Sequence, residues 1–122
     1  MKKISIFGAT GSIGQNTIDL IARAPDTYEV VALTGANNIA QLAKDAQRLN
    51  AKIAVTAHDH LLEDLRDALA GTGIEAAAGT QAINDAATRP ADWVMSAIIG
   101  AAGLAPGVAA LKQGATLALA NK

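Results

Sequence analysis

4-ISIFGATGSIGQNTIDLIAR-23 carries a short apolar run into three glycines, and the glycines into a helical pattern. Ile4 to Phe7 reads as a buried strand. Ile13 to Ala24 reads as a helix with Ile13, Thr17, Ile18 and Ile21 on one face, ended by Pro25 and Asp26. Between them, Gly8, Gly11 and Gly14 fall at G-x-x-G-x-x-G spacing. Each glycine has a distinct task in a phosphate-binding turn. Gly8 lets the chain reverse, Gly11 lets backbone approach a pyrophosphate, and Gly14 lets helix and strand pack closely. The amides of Ser12 and Ile13 open the helix, where the dipole favours an anion, and Thr10 and Ser12 add hydroxyl donors. A tight turn that binds nothing would use the same glycines. The position directly between a first strand and a first helix favours a dinucleotide.

Outward from this turn, strand and helix patterns alternate. Tyr28–Leu33 is a second strand. Ile39, Leu42, Ala43, Ala46 and Leu49 keep helical spacing, with Lys44, Asp45, Gln47 and Arg48 expected to face away. Ile53–Val55 is a third strand. Leu61, Leu62, Leu65, Ala68 and Leu69 mark a further amphipathic helix, stopped at Gly71-Thr72-Gly73. A weak strand at Glu75–Ala78, an Ala-rich helix near Gln81–Ala87 and a strand over Trp93–Ile99 follow. Leu104, Val108 and Leu111 suggest one more helix, and Thr116–Ala120 a last strand. Parallel strands need such crossovers, and crossovers that cover both faces make the strands continuously apolar. The expected fold is therefore α/β: a doubly wound, Rossmann-like parallel sheet of about six strands.

Composition agrees. The 122 residues suit one domain. Apolar residues make up 51% and aromatics 2%, so the core must be built from Ala, Ile, Leu and Val. The net charge of −1 offers no basic patch for a nucleic acid. There is no cysteine, which removes disulfides, thiolate metal sites and a cysteine nucleophile. The apolar run after Lys2-Lys3 is too short for a signal peptide, and no stretch approaches a membrane span. A soluble, cytoplasmic protein without a nucleic-acid or membrane partner is expected.

The loop after the second strand bears on which dinucleotide is bound. An NAD site usually places Asp or Glu there for the ribose 2′-hydroxyl. Thr34-Gly35-Ala36-Asn37-Asn38 has no carboxylate, which favours NADP. It has no Lys or Arg either, and the next base is Lys44. A 2′-phosphate would fall to Asn37, Asn38 and the amides opening the next helix, unless these residues form only a polar turn and helix cap.

The Gly8–Gly14 turn, the Val-Val-Ala-Leu strand, the run Ala97-Ile98-Ile99-Gly100-Ala101-Ala102-Gly103-Leu104 and the terminal Leu119-Ala120-Asn121-Lys122 together resemble the 1-deoxy-D-xylulose 5-phosphate reductoisomerases. The resemblance runs from end to end. It implies an enzyme that rearranges 1-deoxy-D-xylulose 5-phosphate and reduces the product with NADPH to 2-C-methyl-D-erythritol 4-phosphate, in the non-mevalonate isoprenoid pathway. It assigns Thr10, Gly11, Ser12 and Ile13 to the cofactor pyrophosphate, and Ala36, Asn37 and Asn38 to the 2′-phosphate. It also assigns Asn121 to the cofactor and Lys122 to the sugar-phosphate substrate. Such enzymes use Mg²⁺ or Mn²⁺, and the full-length form is compatible with a homodimer. Two departures stand out. The family often has Gly then Lys or Arg where this chain has Ala36 and Asn37, which implies a weaker grip on the 2′-phosphate. The family also continues past the position of Lys122 into a catalytic domain that carries the metal ligands. Residues 1–122 are thus expected to form the NADPH-binding domain, with no catalytic residue or metal ligand of their own, and to bind cofactor without turnover.

Other residues invite weaker readings. His58-Asp59-His60 looks like a metal set, but residues two apart at a helix start point in different directions, so a solvated helix start is expected. Glu63, Asp64 and Asp67 read as the wet side of a helix. Ser96, at a strand end, could line a nicotinamide pocket or simply be a small buried serine, and Gly100 to Gly103 could admit a flat ring or form a plain loop. Two alternatives stay open: another GATG-type dehydrogenase domain, of the aspartate-semialdehyde dehydrogenase kind, and a non-catalytic nucleotide-sensing module.

Overall fold

The computed structural model describes residues 2–8, 12–24, 26–96 and 116–119, with backbone alone at 12, 13 and 116–119. The order is β1 (Lys2–Phe7), α1 (Ser12–Ala22), β2 (Tyr28–Gly35), α2 (Ile39–Leu49), β3 (Ile53–Thr56), a 3-10 turn (Asp59–Leu61), α3 (Leu62–Ala68), β4 (Glu75–Ala78), α4 (Thr80–Ala87), β5 (Trp93–Ser96) and β6 (Thr116–Leu119). The strands form one six-stranded sheet in the order β4-β3-β2-β1-β5-β6, and every pairing is parallel. The chain winds outward from β1 to β4, then returns to the other side of β1 as β5. The strand order therefore reverses between β1 and β5, where ligands of open α/β sheets collect beyond the carboxyl ends of the strands.

The two faces carry different helices. On one, Ile18 and Ile21 of α1, Leu42, Ala43 and Ala46 of α2, and Leu65 and Leu69 after them pack on Ile4, Ile6, Val30, Leu33 and Ala54. On the other, Ile83, Ala86 and Ala87 of α4 pack on Phe7, Ala32, Ile53, Val55 and Val94. The strands are apolar on both sides because both sides are covered, as the doubly wound reading requires. Full burial of a side chain such as Ile6, Leu33 or Leu42 contributes about 1.5–3 kcal/mol.

Several expectations shift in detail. α1 stops at Ala22, two residues before the expected end at Ala24. The amphipathic run after β3 starts as a 3-10 turn, and Ala68, expected inward, is exposed, while Leu65 and Leu69 alone of that run are buried. Asp45, expected in solvent, is 1% exposed. It flanks Leu42 and Leu49 on α2, at the border of the apolar face that meets α1, and polar partners on α1 make its burial affordable. For the strand expected over Trp93–Ile99, the described part is Trp93–Ser96. The helix around Leu104, Val108 and Leu111 lies outside the described residues.

Candidate functional site

Because the strands are parallel and each crossover helix runs back along the sheet, the helices begin at the carboxyl edge. That edge is where the sequence places its glycine turn. Gly8 leaves β1 at φ +83°, a left-handed backbone that glycine tolerates best. Its N–H donates to Thr34 Oγ1 at 3.0 Å. Thr34 is buried inside an otherwise apolar strand end, so this hydroxyl ties the start of the turn to the end of β2. Ser12 and Ile13 form the first residues of α1, and Gly14 behind them is buried, in keeping with its packing task.

A second hydroxyl repeats the device one strand further out. Thr56, buried at the end of β3, donates to the Ala36 carbonyl at 2.7 Å and accepts from the His58 N–H at 3.3 Å. Ala57 N–H donates to the Gly35 carbonyl at 2.9 Å. The loop Ala36-Asn37-Asn38 is thus anchored from below while all three residues stay exposed. Asn38 caps α2, its Oδ1 accepting from Gln41 N–H at 3.2 Å. The oxygen is committed to the helix, which leaves the Nδ2 amide as the group that can meet an anion.

Charge distribution at the helix starts separates them. α1 and α2 have no acid in the first turn. The 3-10 turn and α3 begin with Asp59 and with Glu63 and Asp64. Carboxylates at a helix start offset its dipole, so α1 and α2, like α4, have starts that could meet an external anion. These two helices are locked together by a part-buried cluster. Gln15 Nε2 donates to Asp45 Oδ2 at 2.5 Å, Gln41 Nε2 donates to Asp45 Oδ1 at 2.9 Å, and Gln41 Nε2 lies 3.3 Å from Gln15 Oε1. The cluster joins α1, which follows the glycine turn, to α2, which follows the loop after β2. Neither it nor the two threonines was apparent from sequence. A polar residue inside an apolar strand end, as at Thr34 and Thr56, is the signal that could have found the latter.

The remaining sequence candidates sort as follows. Thr10, Gly11, Asn121 and Lys122 lie outside the described residues, as do Gly100 to Gly103. Ser12 and Ile13 are described by backbone alone. Ser96 is buried at the end of β5, paired in register with Phe7, at the reversal point of the strand order. His58, Asp59 and His60 form the helix start, and no group of three metal-ligating side chains occurs among the described residues. Glu63, Asp64 and Asp67 are exposed, as expected of a wet face. A cleft of about 320 Å³ does open elsewhere, lined in part by Ile21, Tyr28, Arg48 and Lys52. It lies at the amino edge of the sheet, away from the reversal point. Among the described residues, no helix is long and apolar enough to cross a membrane.

A family model described as 1-deoxy-D-xylulose 5-phosphate reductoisomerase matches residues 4–122. Proteins of that name from Ruegeria sp. (strain TM1040) and Jannaschia sp. (strain CCS1) are 73% identical over 122 residues and 74% identical over 121 residues. The match covers 100% and 99% of this chain but 31% of each relative, so the chain spans about a third of their length. Among solved structures, the reductoisomerase from Zymomonas mobilis in complex with NADPH superposes with a TM-score of 0.96 at 52% identity, over 98% of this chain and 32% of that one. A DOX-P reductoisomerase in complex with NADPH, fosmidomycin and magnesium gives 0.92 at 31% identity, over 99% of this chain and 30% of that one.

Proposed function

Because the chain belongs to the 1-deoxy-D-xylulose 5-phosphate reductoisomerase family, we propose that its 122 residues form the NADPH-binding domain of such an enzyme. The observation that carries this reading is the likeness to the NADPH complex, at 52% identity across nearly the whole chain. The family match from residue 4 to residue 122 also favours it over a semialdehyde-dehydrogenase domain or a free-standing nucleotide sensor.

The residues present fit the group. The start of α1 offers N–H groups that have no partner within the helix, and a first turn without acid, to the pyrophosphate, through Ser12 and Ile13 with Thr10 and Gly11 before them. Ala36, Asn37 and Asn38 form an exposed, acid-free loop for the adenosine 2′-phosphate. When bound, NADPH supplies a hydride; the protein supplies binding, orientation and exclusion of competing reactions. Here the Thr34–Gly8 bond and the Gln15–Asp45–Gln41 cluster hold the two anion-binding starts at a fixed separation, so cofactor binding need not order them. Asn121 is assigned to the cofactor and Lys122 to the sugar-phosphate substrate, on the family pattern.

In the whole enzyme, 1-deoxy-D-xylulose 5-phosphate is rearranged and reduced to 2-C-methyl-D-erythritol 4-phosphate, for isoprenoid synthesis in the cytoplasm. A divalent metal, Mg²⁺ or Mn²⁺, would be held by residues outside this chain, and the full-length enzyme would assemble as a homodimer. The isolated chain binds cofactor without turnover. Calorimetry with NADPH and NADH tests the binding, and heat with neither overturns it. NADPH oxidation by this chain with deoxyxylulose phosphate and Mg²⁺ would refute the inactivity.

A further inference from the structure

Parallel strands β2 and β3 pair in register up to Gly35 and Thr56. The bond from Ala57 N–H to the Gly35 carbonyl completes that last pair. Beyond that pair the two chains leave the sheet side by side, on backbones that start about 4.8 Å apart. Thr56 Oγ1 clamps the two outlets by bonding the Ala36 carbonyl and the His58 N–H at once. His58 is half-buried and extended at φ −110° and ψ 115°, and its side chain makes no capping bond to the 3-10 turn it precedes. The His60 ring lies 5.5 Å from it, tilted by 43°.

The acid between the two histidines is turned elsewhere. A Cβ built on Gly79 would meet Asp59 Oδ1 at 2.6 Å, so the Asp59 carboxylate lies against the turn after β4. β4 is on the far side of β3 from β2. The side of His58 that borders the β2 loop is therefore not shared with that carboxylate. The β2 loop itself lacks a base: no Lys or Arg occurs between Arg23 and Lys44.

We propose that His58 is a specificity-determining residue, whose imidazole contacts the 2′-phosphate of NADPH and replaces the base that the β2 loop does not have. The inference rests on the NADPH reading above. An imidazole N–H is a donor in either protonation state and becomes a second donor with a full charge when protonated. A bond to a phosphate oxygen is charge-assisted and stronger than a neutral one. NADH has a hydroxyl in place of that phosphate, so His58 acts on the choice between the cofactors and not on their shared parts. His60 is exposed beside it.

Fluorescence titration of the 122-residue chain with NADPH and with NADH tests this, with circular dichroism to check folding. His58→Ala is expected to weaken NADPH roughly tenfold and leave NADH within about twofold. His58→Lys is expected to retain the NADPH preference, and His60→Ala to reduce it by no more than about threefold. An unchanged ratio of the two affinities in His58→Ala overturns the inference, and so does an equal loss for both cofactors. Binding of neither cofactor by the unaltered chain would instead sink the NADPH reading itself, and this inference with it.

Discussion

At the amino ends of the strands, Lys52 meets Glu29 at 3.5 Å, Arg89 meets Glu75 at 3.2 Å and Arg48 meets Asp19 at 3.0 Å. Lys3 N–H donates to Asp92 at 2.8 Å, and the Lys2 ammonium sits 5.5 Å from the Trp93 ring centre. At the carboxyl ends, the bonds are made by buried Thr34 and Thr56 to backbone, and by Asn38 to the start of α2. One edge pairs its charges with each other in solvent. The other keeps charge out of the first turns of α1 and α2 and uses neutral hydroxyls and amides to shape its loops. The difference suits the anion site proposed at the carboxyl edge, whose loops are held by bonds that bring no charge to the starts of α1 and α2. It also predicts unequal energetics, because exposed ion pairs contribute little while buried hydrogen bonds are costly to leave unmade.

The largest effect should come from Asp45→Ala. It removes the acceptor that Gln15 and Gln41 share between α1 and α2. Urea unfolding should show a loss of about 3 kcal/mol, and NADPH affinity should fall as the two helix starts lose their spacing. A loss below that of the exposed ion pairs would break the comparison at its strongest point. Next, Thr34→Val leaves the Gly8 N–H without its partner and should cost about 1–2 kcal/mol. It should weaken NADPH and NADH alike, because the pyrophosphate proposed to bind at the glycine turn is common to both; calorimetry with each cofactor reads this out.

Asn38→Ala removes the cap of α2 and should cost about 1 kcal/mol by thermal melting, while Asn38→Asp should keep the cap. The aspartate would set a carboxylate at the 2′-phosphate loop, so NADPH should weaken more than NADH. Equal weakening would remove this loop from the 2′-phosphate site. The smallest effect belongs to the amino edge. Arg48→Ala breaks an ion pair whose side chains are 46% and 52% exposed. It should change stability by less than about 1 kcal/mol and leave cofactor binding untouched.

Much of this contrast could be read in advance at one edge only. The glycine spacing announces the turn after β1 because each glycine answers a local steric demand, and local demands are written in consecutive residues. Asp45 shows the limit. Its neighbours Lys44, Gln47 and Arg48 are exposed, and nothing within α2 distinguishes it from them. Its burial depends on Gln15, thirty residues earlier on another helix. Ala68 errs in the opposite direction: helical spacing puts it with Leu65, but the helix is short and shallow on the sheet, and its burial ends at Leu65 and Leu69. Strand pairing places the Thr34 hydroxyl under the turn after β1 and the Thr56 hydroxyl under the loop after β2.

The sequence by itself determined the alternation of strand and helix, the parallel sheet that follows from it, the glycine turn, and the absence of acid and base from the β2 loop. These depend on periodicity and on residue chemistry at short range. Tertiary structure alone decided that α1, α2 and α3 share one face and α4 the other, that Asp45 is buried, and that Thr56 ties His58 to the loop after β2. Those are relations between segments far apart along the chain, fixed by packing and strand pairing, and no window of neighbouring residues contains both partners.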